Sequence, residues 1–252
     1  MRDADWQPAW LLHARPYRET SVLAEWLLPA QGRVGTVLRG ARRAGQGVPA
    51  PFQPFFVQLG GQGELKRILA HEPAGPAQVL TGMTLFSGLY LNELLVRLLP
   101  RELPQPELFI AYAGAVGDLA ETDAADALAV EAILRRFERQ LLEAMGQAIV
   151  NTHEADSQQP LRPEAHYQYY PEHGWLAARE GQRGACLGAD ILAVGADDFG
   201  TPSRRRLAKQ LYRLALEPLL AGKPLKSREL FTAMVPAARG PADNPSTQQE
   251  ES

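Results

Sequence analysis

The apolar runs in residues 8–71 are all of strand length and each is bounded by Pro or Gly, whereas from Thr81 onward they take helical spacing. In the first region "AWLLHARPYRETSVLAEWLL", "GRVGTVLRGAR", "PFFVQLGG" and "GELKRILAHE" follow one another. Residues 21–28 and 33–39 mix aliphatic and polar residues in partial alternation, and Gly60, Gly61 and Gly63 supply a turn before the next run. Several short strands at this spacing predict a small closed or half-closed β-barrel.

The remainder reads as helices. "TGMTLFSGLYLNELLVRLLP" sets Leu85, Leu89, Leu91, Leu94, Leu95, Leu98 and Leu99 at helix-compatible spacings and stops at Pro100. A second helix is expected over residues 107–119, and a third in "DALAVEAILRRFERQLLEAMG", where Leu128, Ile133, Leu134, Phe137, Leu141 and Leu142 share a broad stripe ending at Gly146. "PLRPEAHYQYYPEHGWLAAREGQRGACLGADIL" is rich in turn formers and aromatics and reads as an irregular hairpin-like insert. In "TPSRRRLAKQLYRLALEPLLAG" Thr201 or Ser203 can cap a last long helix that Pro218 must kink or interrupt. The polar, Pro/Gly-rich "AARGPADNPSTQQEES" has no apolar period and reads as disordered.

Length and composition frame the function. The 252 residues, 45% of them apolar, suffice for a core, no window reaches the roughly 18 apolar residues of a membrane span, and "MRDADWQPAW" lacks the order of a secretory signal. The expected address is the cytoplasm. The net charge of −3 conceals an asymmetry: residues 1–80 hold nine basic groups against six acids, and residues 81–158 five against twelve. A basic head on an acidic middle points to an anionic partner.

Catalytic chemistry finds little support. Gly32, Gly35 and Gly40 do not make a dinucleotide fingerprint, "GGQGELK" lacks both the spacing and the Ser/Thr of a phosphate-binding loop, and no H-E-x-x-H occurs. "FSGLY" gives Ser87 no nucleophile-elbow context. His166, His173 and Cys186 share the insert, but with one cysteine in the whole chain a fourth ligand of the usual kind is missing. No metal, cofactor or catalytic residue is assigned.

Basic residues are more informative. Arg15 and Arg18 flank Tyr17, Arg33, Arg39, Arg42 and Arg43 follow in the next hairpin region, and Lys66 and Arg67 in another. On a barrel they could converge on phosphates while Tyr17 or Phe56 offers a stacking face; solvated surface charge is the alternative. Arg205, Lys209 and Arg213 recur every four residues on the last helix, either extending a phosphate track or forming the wet side of an amphipathic helix. Lys223, Lys226 and Arg228 crowd together in "GKPLKSREL". Arg135, Arg136 and Arg139 stand on an otherwise apolar helix, where they suit either a peptide carboxylate with a hydrophobic anchor or salt bridges to Glu131, Glu138 or Glu143.

The order of these stretches resembles the bacterial RecO recombination mediators. "LLHARPYRETSVLAEWL", "GRVGTVLRGARR", "QPFFVQLGGQGELK", "LFSGLYLNELLVRLL", "LRRFERQLLEAMG" and "GKPLKSRELF" occur in the family's order as far as about Met234, with "RPYRETS" and "GKPLKSREL" the specific ones. The resemblance implies an α+β protein: an N-terminal OB-fold barrel over residues 1–80, an all-helical domain over 81–158 and 191–235, a zinc-ribbon-like insert over 159–190 and a disordered tail over 236–252. Relatives often carry four zinc-binding cysteines in the insert; here only Cys186 remains, so the branch that has lost the metal is implied, with Tyr167, Tyr169 and Trp175 holding the insert.

The implied activity is to bind single- and double-stranded DNA, anneal complementary strands, and work with RecR to load RecA onto strands coated by single-stranded DNA-binding protein. The implied DNA contacts fall on Arg33, Arg39, Arg42 and Arg43, extended by Lys223, Lys226 and Arg228. "LRRFE" corresponds to the pocket for the C-terminal tail of single-stranded DNA-binding protein, with Arg135 as carboxylate receptor and Arg136 beside it. A scaffold that does not touch DNA, or a metal-dependent nuclease or ligase component, are the other classes open to the sequence.

Overall fold

The computed structural model describes residues 5–43, 47–227 and 229. Five strands, β1 (Gln7–Tyr17), β2 (Ser21–Leu28), β3 (Gly32–Leu38), β4 (Pro54–Gly60) and β5 (Leu65–Pro73), close into a barrel in the order β1-β2-β3-β5-β4. All neighbours are antiparallel except β3 and β5, which run parallel through Gly35–Leu65, Thr36–Lys66 and Val37–Arg67. This is the five-stranded arrangement of an OB barrel.

Alternation decides which side chains fill it. Ala9, Leu11, Val22, Ala24, Trp26, Leu28, Val34, Leu38, Phe55 and Val57 form the interior, and the buried Thr36 hydroxyl satisfies the Trp26 indole N–H at 3.0 Å. In β1 the alternation fails: Ala9, Trp10, Leu11 and Leu12 are all buried. Ala9 and Leu11 enter the barrel, while Trp10 and Leu12 join Leu27 and Phe52 in the core of the helices. Trp10 packs edge-on against Tyr112 at 5.6 Å, so the barrel wall is also one wall of the helical core.

The helices are α1 (Gly82–Leu98), α2 (Pro106–Glu121), α3 (Ala127–Ala144), α4 (Gly188–Gly195) and α5 (Pro202–Leu219). Asp126 caps α3 by accepting from the amides of Leu128 and Ala129, and Thr201 caps α5 through the Arg204 amide. Pro218 lies in the last turn of α5, which stops one residue later. α4 was not anticipated: β8 runs straight into it at Gly188, where a side chain would collide with the Arg162 carbonyl, so the expected boundary at residue 190 falls inside a helix.

Between α3 and α4 lies a small sheet of β6 (His166–Tyr170), β7 (Gly174–Ala178) and β8 (Cys186–Leu187), ordered β7-β6-β8. Its inner face is aromatic. Trp175 is fully buried, donates its indole N–H to Asn151 Oδ1 at 2.8 Å and packs against Tyr169, while the Tyr167 hydroxyl accepts the Arg162 amide at 3.0 Å. Tyr167 and Trp175 belong to the same core as the helices, which anchors the insert to them. The expected disordered tail, residues 236–252, lies outside the described residues.

Candidate nucleic-acid interface

Three turns at one end of the barrel enclose a cleft of about 500 Å³. The β1–β2 turn contributes Tyr17, Arg18, Thr20 and Ser21; the exit of β3 contributes Val37, Arg39, Gly40 and Arg43; the β4–β5 hairpin contributes Gly60, Gly61, Leu65 and Arg67. Four arginines therefore line one concavity, and among the described residues no carboxylate does. Such a set repels itself in the free protein and gains most from a polyanion.

Ladder register explains how distant residues meet. Arg15 pairs with Leu23, Leu23 with Val37, Val37 with Arg67 and Arg67 with Gly60, so these residues form one transverse row on the outer face. Arg15 thus stands in line with the cleft wall, exposed. The backbone at the lips is tightly turned, with Arg18, Gly40 and Gly61 at φ of 53°, 72° and 96°. Arg18 folds back so that its guanidinium carbon lies 5.1 Å from the Tyr17 ring centroid, a cation–π contact that occupies one face of that ring.

Other sequence-selected residues are spent elsewhere. Arg33, on the helix-facing outer side of β3, donates to the Leu99 carbonyl at 2.9 Å and to Glu25 at 3.0 Å. Arg101 also donates to Glu25, and Lys66 pairs with Glu102 at 2.7 Å. Gly32, at φ 63°, leaves room for the Leu103 carbonyl, which a Cβ would approach to 1.8 Å. Arg33 and Lys66 therefore tie the barrel to the end of α1 and the segment after it, and neither lines the cleft. Arg42 does not line the cleft either. Its amide donates to the Thr20 carbonyl at 3.1 Å and its guanidinium to the Arg18 carbonyl at 3.3 Å, bracing one lip against the other. Phe56 sits toward the opposite end of β4, paired with Glu72, well away from Gly60.

The C-terminal basic residues do not reach this cleft. Arg205 donates to the carbonyls of Phe199 and Gly200, which closes the turn before α5. Lys209 lies 3.9 Å from Glu131 and is largely exposed. Arg213 and Lys223 line a different concavity of about 370 Å³ together with Glu217 and Glu229, so its charge is mixed. Lys226 is exposed, and its backbone N–H donates to Glu93 at 3.0 Å. Burial alone would raise the Glu93 carboxyl, but donation from the Ser227 amide and hydroxyl and the Lys226 amide, with Arg97 nearby, holds it below the usual carboxylate range. Arg97 in turn donates to the carbonyls of Lys223 and Pro224. The basic segment is thus docked on α1 through its backbone, leaving its ammonium groups free of that contact. Arg228 lies outside the described residues.

A second groove, about 220 Å³, opens between α2 and α3. Ile110, Ala111, Ala115, Ile133 and Phe137 make it apolar, and Arg136 stands on its rim, 3.5 Å from Asp118. Arg135 does not enter it. It is buried at 8% exposure and paired with the fully buried Glu138 at 2.9 Å, which also accepts the Tyr90 hydroxyl. Arg139 makes a bidentate bond to Asp197, both arms at 2.8 Å, and reaches Glu143 at 3.1 Å. Of the three arginines expected to receive a peptide carboxylate, Arg136 lines this groove, Arg135 does not, and Arg139 ties α3 to the turn after α4.

In the insert, His166 pairs in the sheet with Ala178 and Leu187, and among the described residues no cluster of three His, Cys, Asp or Glu could hold a metal ion. Burial and the neighbouring Asp190 push the Cys186 thiol up, away from the thiolate that metal binding requires. Among the described residues no helix is long and apolar enough to cross a membrane.

The comparisons agree with this architecture. Residues 1–76 match the family model described as Recombination protein O N terminal, and residues 81–229 the one described as Recombination protein O C terminal. A protein of Pseudomonas aeruginosa (strain LESB58) named DNA repair protein RecO is 43% identical over 225 residues, covering 89% of this chain and 94% of the relative. The protein of that name from Klebsiella pneumoniae (strain 342) is 39% identical over 95% of this chain and 97% of its own length, and that from Pectobacterium atrosepticum is 40% identical over 92% and 95%. With both halves matched in order, an OB barrel followed by helices, the chain belongs to the recombination protein O (RecO) family.

Proposed function

We propose that this chain is a DNA-repair and recombination mediator that acts without covalent chemistry. The observation that carries the reading is the cleft that Arg18, Arg39, Arg43 and Arg67 line on the OB barrel, with no carboxylate among its described residues. Guanidinium groups match phosphate oxygens in geometry and stay charged, so a DNA backbone laid across the cleft displaces its counterions and gains affinity from their release. Among the described residues no Asn, Gln, Asp or Glu lines the cleft, and arginines bound to phosphates fix a strand without reading its bases, which suits sequence-independent binding of single- and double-stranded DNA. A strand held by its phosphates keeps its bases free to pair, the requirement for annealing a complement.

The α2–α3 groove supplies the second part. An acidic, hydrophobic C-terminal tail, such as that of single-stranded DNA-binding protein, would lay its apolar side chains on Ile110, Ile133 and Phe137 and its carboxylate against Arg136. The Arg136–Asp118 pair is exposed on both sides and 3.5 Å long, so exchanging it for a better placed carboxylate costs little. Tail capture brings the chain to coated strands, and the barrel takes the strand released there. Membership of the family supports RecR as co-mediator and RecA as the protein then loaded as part of this proposal. The test is a gel-shift and strand-annealing assay with the purified full chain. Faster annealing of complementary oligonucleotides, with and without a coat of single-stranded DNA-binding protein, is expected. A chain that leaves DNA unshifted is instead a scaffold, and divalent-ion-dependent cleavage or joining would make it an enzyme.

A further inference from the structure

The outer face of β5 carries apolar side chains where a barrel surface would ordinarily be polar. Leu65 is 44% exposed and Leu69 56%, and Arg67 lies between them. Leu69 continues the outward alternation of Leu65 and Arg67 and lies at a bulge, since β4 pairs Gln58 with Ala70 and Leu59 with Ile68 and leaves it as the extra residue. It packs over Gly60, where an added Cβ would lie 2.9 Å from a Leu69 methyl. Gly60 and Leu65 both line the arginine cleft, so the leucines form its apolar margin and Arg67 joins the two surfaces.

An occupant must therefore offer anionic groups to one side and flat apolar groups to the other, spaced closely enough to alternate with Arg67. We infer that Leu65 and Leu69 seat the bases of the single strand whose phosphates lie in the cleft, an inference that rests on the DNA-binding reading above. Neither leucine can donate or accept a hydrogen bond, so the seat takes any base through its π-face and adds affinity without sequence preference. Duplex DNA, with its bases stacked inside, gains nothing from it. The strip thus favours single strands over duplex on a surface whose charges alone do not discriminate.

The probe pair is an oligothymidylate and an abasic oligonucleotide of the same length and charge, titrated by fluorescence anisotropy against the full chain and its Leu69→Ser variant. Leu69 is exposed and does not line the cleft, so the variant keeps the barrel core and the arginines. The wild type should bind the oligothymidylate more tightly, and the variant should lose about tenfold on that ligand alone, with abasic affinity and salt dependence unchanged. Equal affinity of the wild type for both ligands, or an equal loss on both in the variant, overturns the base seat while leaving the arginine cleft standing. Failure of the wild type to bind either ligand overturns the cleft itself, and the seat with it.

Discussion

Arg33 and Glu25 pair at 3.0 Å on neighbouring strands of the barrel, and the same guanidinium reaches the Leu99 carbonyl at the end of α1. The contact makes an arginine expected at the DNA surface into a bolt between two cores. Arg33→Ala removes a charge-assisted bond from a half-buried site, where Arg101 can still hold Glu25. A loss of about 1–3 kcal/mol in denaturant unfolding is expected, with the salt dependence of DNA binding unchanged.

Arg42 supports the cleft without lining it. Arg42→Ala should lower single-strand affinity a few-fold, because the Arg18 lip loses its brace, yet leave the slope of log affinity against log salt as it was. A slope reduced by about 0.7, the value of one released phosphate contact on a single strand, would make Arg42 a direct contact instead.

Neighbouring arginines on α3 should separate cleanly. Arg136→Ala is expected to abolish binding of an acidic, hydrophobic tail peptide in fluorescence polarisation, with thermal stability and DNA affinity retained. Arg135→Ala removes the cation beside the buried Glu138 carboxylate and should cost about 3 kcal/mol of stability. Peptide binding lost only in Arg135→Ala, with an unaltered melting curve, would reverse the assignment.

Docking of residues 223–227 on α1 should depend on pH through Glu93. Its carboxyl is depressed in the folded chain, so its contribution is present above the ordinary glutamate pKa and is lost as pH falls through the folded value. The protection of the Lys226 and Ser227 amides against hydrogen exchange, measured relative to the intrinsic rate at each pH, should fall as pH drops below the ordinary glutamate range, and Glu93→Gln should show the lowered protection already at pH 7.

Much of this architecture is legible in the sequence. Gly and Pro bound each strand, and leucine periods and the Thr201 cap mark helices, because those signals are local. The cleft is less legible. Arg33, Arg39 and Arg67 look alike along the chain, and only barrel register and the docking of α1 decide that Arg33 faces a carbonyl while Arg39 and Arg67 face solvent. Arg135 and Arg136 differ by one position but by about 100° around the helix, and which enters the α2–α3 groove depends on where Tyr90 and Glu138 meet. α4 and the bulge at Leu69 have no composition signal, since each is fixed by contacts distant in sequence.

The central claim is that Arg18, Arg39, Arg43 and Arg67 together hold a DNA backbone. The direct measurement is the salt dependence of oligothymidylate binding by the wild type and by an Arg39→Ala/Arg43→Ala/Arg67→Ala variant that retains its melting temperature. Four phosphate contacts on a single strand predict a slope of about −3 for the wild type, rising to about −1 in the variant; equal slopes for the two would contradict it.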